Sequence, residues 1–344
     1  MPEPMHPHTA PFPHARRALL HRSLALAAGL AGFPAVRPQA ATEPPRGFPA
    51  KPLRIVCPYP AGATTDAISR LMAQGLQTTA GVSAMVDNRA GAGGNIGTEA
   101  VARGEADGHT LLLGALGPLA ANAALYPRLG YDPARDFTPL AWAASVPLVL
   151  VAHPGFAATG LAQALALLRS QPDRHAFASA GNGTPQHLAG ALFQREAGVR
   201  LVHVPYRGSA PALTDVMAGT VPLLFDAAPA VLPHIQGGRL RALAVTSAAR
   251  MPALPQVLTL TEAGVSAEIS GWYGFLAPAA TPPDRTAWLS AQMARVLAQP
   301  ATQQRLSELG SVRVDSSAQA FARLIADERT RWQRLIREAA IRID

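Results

Sequence analysis

Lysine and cysteine are almost absent from this sequence, and each absence excludes a class of function. Lys51 is the single lysine among 30 Lys and Arg residues. A phosphate-binding P-loop needs a lysine directly after its glycines, and Lys51 has no such context. A Schiff-base lysine is also disfavoured, because Lys51 is the only candidate. Cys57 is the only cysteine, which excludes an intramolecular disulfide and a cysteine metal site.

Charged residues are also sparse, at 15% of the chain against 49% hydrophobic residues. This composition is typical of a globular protein, and 344 residues are enough for about two domains. The formal net charge is +8, but the basic residues are scattered and do not alternate with aromatic ones. We therefore expect no nucleic-acid partner.

The amino terminus has the pattern of an export signal. Arg16, Arg17 and Arg22 precede an apolar run, 24–33, that is too short to span a bilayer. We interpret residues 1–45 as an export signal and flexible leader. The Arg16-Arg17 pair also fits a twin-arginine signal. The mature chain is therefore expected outside the cytoplasm, in the periplasm.

From Lys51 onward, short strand-like runs alternate with alanine-rich helical segments, which is typical of α/β architecture with mostly parallel strands. No long linker divides the chain, so we expect two α/β domains joined by crossing strands around a cleft. The predicted strands are 53–57, 83–87, 110–114, 146–152, 175–179, 201–204, 221–226, 240–246 and 270–276. The predicted helices are 65–79, 95–103, 160–170, 185–197, 210–218, 229–236, 283–298, 301–309 and 317–339.

The segment 58–66, Pro-Tyr-Pro-Ala-Gly-Ala-Thr-Thr-Asp, joins the first predicted strand to a helix and suits anion binding. Gly62 allows close backbone approach, and Thr65 is a good N-cap residue. The first N–H groups of a helix lack internal partners and carry partial positive charge, so a small acid can dock there without Arg or Lys. An ordinary capped turn is the alternative for this loop taken alone.

A second glycine-rich turn, 178–187, again lies between a predicted strand and a helix, which Thr184 and Pro185 would open. If each domain contributes one of these loops to the cleft, two helix N-termini converge on one bound carboxylate. We expect His187 to hydrogen-bond back to its own loop. Two unrelated turns are the alternative.

A third glycine-rich loop, 88–97, differs from a dinucleotide-binding fingerprint. The fingerprint is G-x-G-x-x-G, but here one extra residue separates Gly93 from Gly97. The loop also follows the second predicted strand instead of the first. We interpret it as a tight turn at the border of the cleft.

Catalytic and metal signatures are missing from the sequence. His187, His203 and His234 show none of the usual zinc-ligand spacings, and no G-x-S-x-G nucleophile motif occurs. We therefore expect no metal, no cofactor and no catalytic residue. Asp226 follows an apolar strand, so it either binds a ligand amine or hydroxyl or caps the next turn.

The order and spacing of these motifs resemble the extracytoplasmic solute receptors of tripartite tricarboxylate transporters, known as the Bug or TctC-like family. The likeness runs from about residue 51 to residue 344. It implies an α/β fold of the type II periplasmic-binding-protein kind, with two domains around a ligand cleft. The domains would be residues 50–149 plus 271–344 and residues 150–270.

The resemblance implies a receptor, not an enzyme, that captures a small carboxylate: a dicarboxylate, tricarboxylate, amino acid or aromatic acid. Its partners would be the membrane permease subunits of a tripartite tricarboxylate-type transporter, and we expect a monomer. The alternatives are a secreted hydrolase using the same cleft and a ligand-sensing adaptor for a membrane signalling system. The expected ligand-binding residues are Tyr59, Ala61, Gly62, Ala63, Thr64, Thr65, Asp66, Ser179, Ala180, Gly181, Asn182, Gly183, Thr184, His187 and Asp226.

The sequence departs from the family pattern at a few positions. Ala63 stands where a second glycine is usual, and a positive φ there would cost its Cβ about 1 kcal/mol or more. We therefore expect Ala63 to have a negative φ, or the loop to be slightly altered. Ala90 replaces a usual proline, and Ala227 and Ala228 replace an Asn-containing turn, which affects specificity at the far end of the cleft.

Overall fold

The computed structural model describes residues 43–338 and residue 341. Most of the predicted export signal, residues 1–42, lies outside them. Within the described ranges, no helix combines the length and the apolar composition that crossing a bilayer requires.

A nine-stranded sheet runs through the described part of the chain. Its strands are β1 (Leu53–Cys57), β2 (Ala84–Asn88), β3 (Thr110–Ala115), β4 (Phe137–Ala152), β5 (Ala176–Ser179), β6 (Val202–Pro205), β7 (Leu223–Ala227), β8 (Arg241–Val245) and β9 (Ser270–Pro278). Their order is β2-β1-β3-β9-β4-β7-β5-β6, and β8 also pairs with β4.

The two ends of the sheet are parallel, and the middle is antiparallel. β1 runs parallel to β2 and β3, and β5 runs parallel to β6 and β7. β4 pairs antiparallel with β9 along residues 137–147 and with β7 and β8 along residues 148–152. One 16-residue strand therefore passes from one half of the sheet to the other. The predicted domain limits stay a prediction.

The helices of the described chain are α1 (Thr64–Ala80), α2 (Asn95–Ala102), α3 (Asn122–Leu125), α4 (Leu161–Ser170), α5 (Pro185–Ala197), α6 (Ser209–Met217), α7 (Ala228–Gln236), α8 (Pro283–Ala298), α9 (Pro300–Glu308) and α10 (Ala318–Glu338). The predicted elements are therefore confirmed, most of them within two residues at each end. The sequence did not predict the helical segment 117–125 or the first half of β4. Pro139 disfavours a strand there, because proline has no backbone N–H to donate to a neighbouring strand. In the structure, a β-bulge lies directly beside Pro139.

The C-terminal helix α10 packs its apolar stripe against the sheet. Phe321 and Trp332 are completely buried, and the Phe321 ring lies 5.8 Å from the ring of Trp272 on β9. The stripe therefore belongs to the core. A Cβ at Gly274 would meet both the Phe321 ring and the carbonyl oxygen of Ala141, so a glycine is needed at this crossing.

Candidate functional site

A cavity of about 1010 Å³ lies at the carboxyl ends of β1, β5 and β7. The helices α1, α5, α6 and α7 all begin at its wall. Because the first N–H groups of a helix lack internal acceptors, this arrangement gathers hydrogen-bond donors and positive helix ends. The wall is formed mainly by residues 58–65, 90–94, 180–182, 184–186, 205–211, 226–227 and 229–230.

The first loop turns at Gly62, whose φ is 83°, and α1 begins at Thr64. The N-cap residue is Ala63, with φ −76° and ψ 164°, and it gives no side-chain cap. The prediction that Thr65 caps the helix is therefore wrong, because the helix begins one residue before Thr65. The expected negative φ at Ala63 is confirmed, so its Cβ costs no strain.

The first turn of α1 leaves hydrogen-bond donors at the cavity. The first intrahelical bond runs from the Ala67 N–H to the Ala63 carbonyl oxygen, at 3.1 Å. The N–H groups of Thr64, Thr65 and Asp66 have no acceptor among the described residues. Thr65 is only 5% exposed, and its buried hydroxyl also lacks a partner there. A ligand or water would satisfy these groups.

Asp66 turns back into its own loop instead of into the cavity. Its carboxylate accepts hydrogen bonds from Gly62 N–H at 3.0 Å, Arg70 Nε at 2.9 Å and Asn88 Nδ2 at 3.1 Å. Burial opposes ionisation, but these bonds, that of Arg70 first, outweigh it and hold the Asp66 pKa below its usual range. The carboxylate therefore fixes the shape of the loop.

The second loop, 179–187, is held by its own side chains. Thr184 is the N-cap of α5, as predicted; its hydroxyl donates to the Gly181 carbonyl oxygen at 2.7 Å. Ser179 Oγ accepts the Gly181 N–H at 3.1 Å. His187 Nδ1 accepts the Gly183 N–H at 3.2 Å, which confirms the expected bond from His187 back to its loop. The N–H groups of Ala180 and Asn182 keep no acceptor within the described chain.

The predicted site residues fall into two groups. Those behind the wall are Asp66, Ser179, Gly183 and His187, which support the loops. The residues of the second group line the cavity: Tyr59, Ala61, Gly62, Ala63, Thr64, Thr65, Ala180, Gly181, Asn182, Thr184 and Asp226. Direct ligand contact by any of the predicted residues stays a prediction.

Asp226 lies in the cavity wall but is only 1% exposed. It accepts hydrogen bonds from Gln186 Nε2 at 3.0 Å, from the Ala227 N–H at 2.8 Å and from the Ser209 hydroxyl. Burial dominates and raises the pKa of Asp226, because its donors are all uncharged. Of the two roles expected for Asp226, capping of the turn before α7 is the one its contacts show. It also ties α5 and α6 together.

Arg207 is the site residue that sequence reasoning missed. It is exposed, and it is the only Lys, Arg or His side chain in the described lining of the cavity. No ion pair of Arg207 occurs within residues 43–338. A signal was available: Gly208, with φ 116°, follows β6 and opens α6, which repeats the strand, glycine and helix pattern of the other loops.

Tyrosines form much of the remaining wall. Tyr59, Tyr126, Tyr206 and Tyr273 all line the cavity. The Tyr126 hydroxyl donates to the Asn182 carbonyl oxygen at 3.3 Å, so the two halves of the sheet touch there. The Tyr59 hydroxyl is buried with no partner in the described residues. The wall therefore offers a further unsatisfied polar group beside the first loop.

The third loop borders this cavity, as predicted. Residues 90–94 line it, and Ala92–Gly94 form one helical turn. A Cβ at Gly97 would lie 2.8 Å from the Arg89 carbonyl oxygen and 2.9 Å from the Pro58 Cα, so the turn is tight against the first loop. The family departures Ala90 and Ala227 also fall in the wall.

The histidines do not form a metal centre in the described part of the chain. No group of three or more His, Cys, Asp or Glu side chains there could hold an ion. His187 and His203 stack face to face with ring centroids 4.2 Å apart. His234 lies in the last turn of α7.

A divided α/β sheet whose helix N-termini meet in one cavity defines a solute receptor of the periplasmic-binding-protein class. R. palustris Rpa4515 with adipate matches with a TM-score of 0.82 at 36% identity, covering 86% of this chain and 99% of that one. MatC from Rhodopseudomonas palustris with bound malate matches with a TM-score of 0.79 at 32% identity, covering 84% and 100%. The predicted fold class is confirmed.

The sequence places the chain within a family of this class. A family model described as "Tripartite tricarboxylate transporter family receptor" matches residues 68–341, and the chain belongs to that family. The protein in the tcbD-tcbE intergenic region of Pseudomonas sp. (strain P51) is 40% identical over 85% of this chain and 87% of its own length. Protein BugT of Bordetella pertussis is 36% identical over 86% and 91%.

Replacing Asp66 with Asn tests its role in fixing the first loop. We expect a loss of about 1–3 kcal/mol in the free energy of unfolding at neutral pH, because Asn cannot accept all three bonds. The folded-state pKa is lowered, so the contribution is present above the unfolded pKa and disappears as pH falls through the folded one. The wild type should therefore lose more stability than Asp66→Asn on acidification.

Urea unfolding across a pH series measures both effects. Asp327→Asn, at an exposed position of α10, is the matched control and should change stability by less than about 0.5 kcal/mol. Equal stability of Asp66→Asn and the wild type at pH 7 would contradict the assignment.

Proposed function

We propose that this protein is a receptor that captures a small organic carboxylate in the 1010 Å³ cavity. The observation that carries the proposal is the convergence of unpaired N–H groups from two loops, at Thr64 and Thr65 and at Ala180 and Asn182. Hydrogen bonds to a charged group contribute about 1.5–3 kcal/mol each. Adipate and malate occupy the relatives Rpa4515 and MatC.

One carboxylate of the solute would lie between the two loops. The helix dipoles of α1 and α5 favour a negative charge at their first turns. Ordered water can complete the hydrogen bonds where an N–H group does not reach the ligand directly. The site thus recognises an anion mainly through backbone groups.

Arg207 would select solutes with a second anionic group. The cavity wall also has an apolar part, with Pro211, Leu213 and Ala230 among its members. Such a wall suits a carbon chain, and the guanidinium suits a carboxylate at its far end. A dicarboxylate therefore fits this cavity better than an amino acid does.

The solute would be captured in the periplasm and passed to permease subunits of a tripartite tricarboxylate-type transporter. We propose that residues 50–149 with 271–344 and residues 150–270 act as the two closing domains of a monomer. β4 supports this division, because it pairs with different strands on either side of residue 147.

The positions of the candidate catalytic residues do not favour the alternative of a secreted hydrolase. Asp226 lines the cavity, but His187 and His234 do not.

Calorimetric titration with adipate, malate and the neutral analogue adipamide tests the proposal. At least one diacid should bind, and at 100 times its Kd it should stabilise the protein by about 2.7 kcal/mol. Adipamide should not bind measurably, because helix N-termini favour a negative charge. Equal binding of adipamide, or binding of neither diacid, would contradict carboxylate capture.

Replacing Arg207 with Gln tests the second anionic contact. A lost charge-assisted hydrogen bond should weaken diacid binding by about 10- to 100-fold and change hexanoate binding by less than about threefold. Arg239→Gln removes the same charge from an exposed residue outside the cavity and is the control. An equal loss for diacid and hexanoate would show that Arg207 has another role.

A further inference from the structure

A second cavity of about 700 Å³ lies behind the loop that forms part of the first one. It opens beside α5 and the edge strand β6. Asn182 and Pro205 line both cavities, so the second loop is a thin wall between them. Its other lining residues include Phe177, His187, Arg195, Arg200 and His203.

A column of three stacked rings forms one side of this second cavity. The Phe177 and His203 ring centroids are 4.8 Å apart, and those of His203 and His187 are 4.2 Å apart. Burial, together with the neighbouring imidazole for His187, lowers the pKa of His187 to about 3 and that of His203 to about 4. Both rings are therefore neutral at pH 7.

The hydrogen bond of His187 to its own loop decides which nitrogen carries the proton. Nδ1 accepts the Gly183 N–H, so the proton of the neutral ring is on Nε2. His187 is 4% exposed, and Nε2 has no partner within the described residues. Because His187 lines the second cavity, this N–H donor is available to a ligand there.

The charged side chains in the described lining of this cavity are cationic, and carboxylates flank them from outside it. Arg195 and Arg200 line it, and no Asp or Glu occurs in its described lining. Arg200 makes one ion pair, with Asp173 at 2.9 Å, which leaves most of its five N–H donors available. Arg195 is paired with Glu196 and Glu338, so Arg200 is the better donor.

We propose that the second cavity binds a small oxyanion, a phosphate or carboxylate group, through His187 Nε2–H and the Arg200 guanidinium. The anion would also act on the first cavity. Accepting a bond from Nε2–H polarises the imidazole and makes Nδ1 a stronger acceptor for the Gly183 N–H. The wall between the two cavities would then be held more firmly when the anion is bound.

Histidine and backbone NMR with inorganic phosphate as the probe tests this site without any ligand in the first cavity. The His187 Cε1–H signal and the Gly183 amide signal should shift together and saturate with one Kd. Arg200→Gln should raise this Kd at least fivefold. His187→Asn keeps an acceptor for the Gly183 N–H but lacks the Nε2 donor, and it should raise the Kd at least tenfold.

Two controls separate this site from other causes of a shift. Arg174→Gln removes the same charge from an exposed residue outside both cavities and should leave the Kd unchanged. Arg207→Gln should also leave it unchanged. A shift that does not saturate, equal effects of Arg200→Gln and Arg174→Gln, or loss of the shift in Arg207→Gln would overturn the proposal. Failure of diacids to bind would not affect this result.

Discussion

Unpaired backbone N–H groups in the first turn of α1 and in the loop before α5 are the constraint on which this structure depends. The strand, loop and helix units at both ends of the sheet place the first turns of α1, α5, α6 and α7 at one cavity. Such donors are costly when buried without partners, so the cavity suits an anionic solute. A chain with so few lysines can form an anion site because the backbone supplies most of the donors.

Two internal carboxylates keep these donors in place without occupying the ligand space. Asp66 holds the first loop and is kept ionised by Arg70, whereas Asp226 joins α5, α6 and the start of α7 through uncharged donors. The difference in partners explains why the pKa of Asp66 is lowered and that of Asp226 is raised. Both carboxylates therefore support the geometry of the cavity wall.

Local chemistry made the two glycine-rich loops predictable, while contacts between distant segments did not show in the sequence. Gly62 and Thr184 mark their turns through backbone freedom and capping, which are local properties. Arg207 was missed because its place in the cavity depends on the loop after β6 approaching the loop after β1, and these two strands lie in different halves of the sheet. His187 was predicted in the ligand cleft, but its ring stacks against His203 behind the loop, and that contact joins residues far apart in sequence.

We expect one solute to touch both loops at once. Titration of the nitrogen-15-labelled protein with adipate, followed through the amide signals of Thr64, Thr65, Ala180 and Asn182, tests this most directly. All four N–H protons should shift downfield with a single Kd, as expected for hydrogen bonds to a carboxylate. A response confined to one loop, or two different dissociation constants, would contradict a shared carboxylate site.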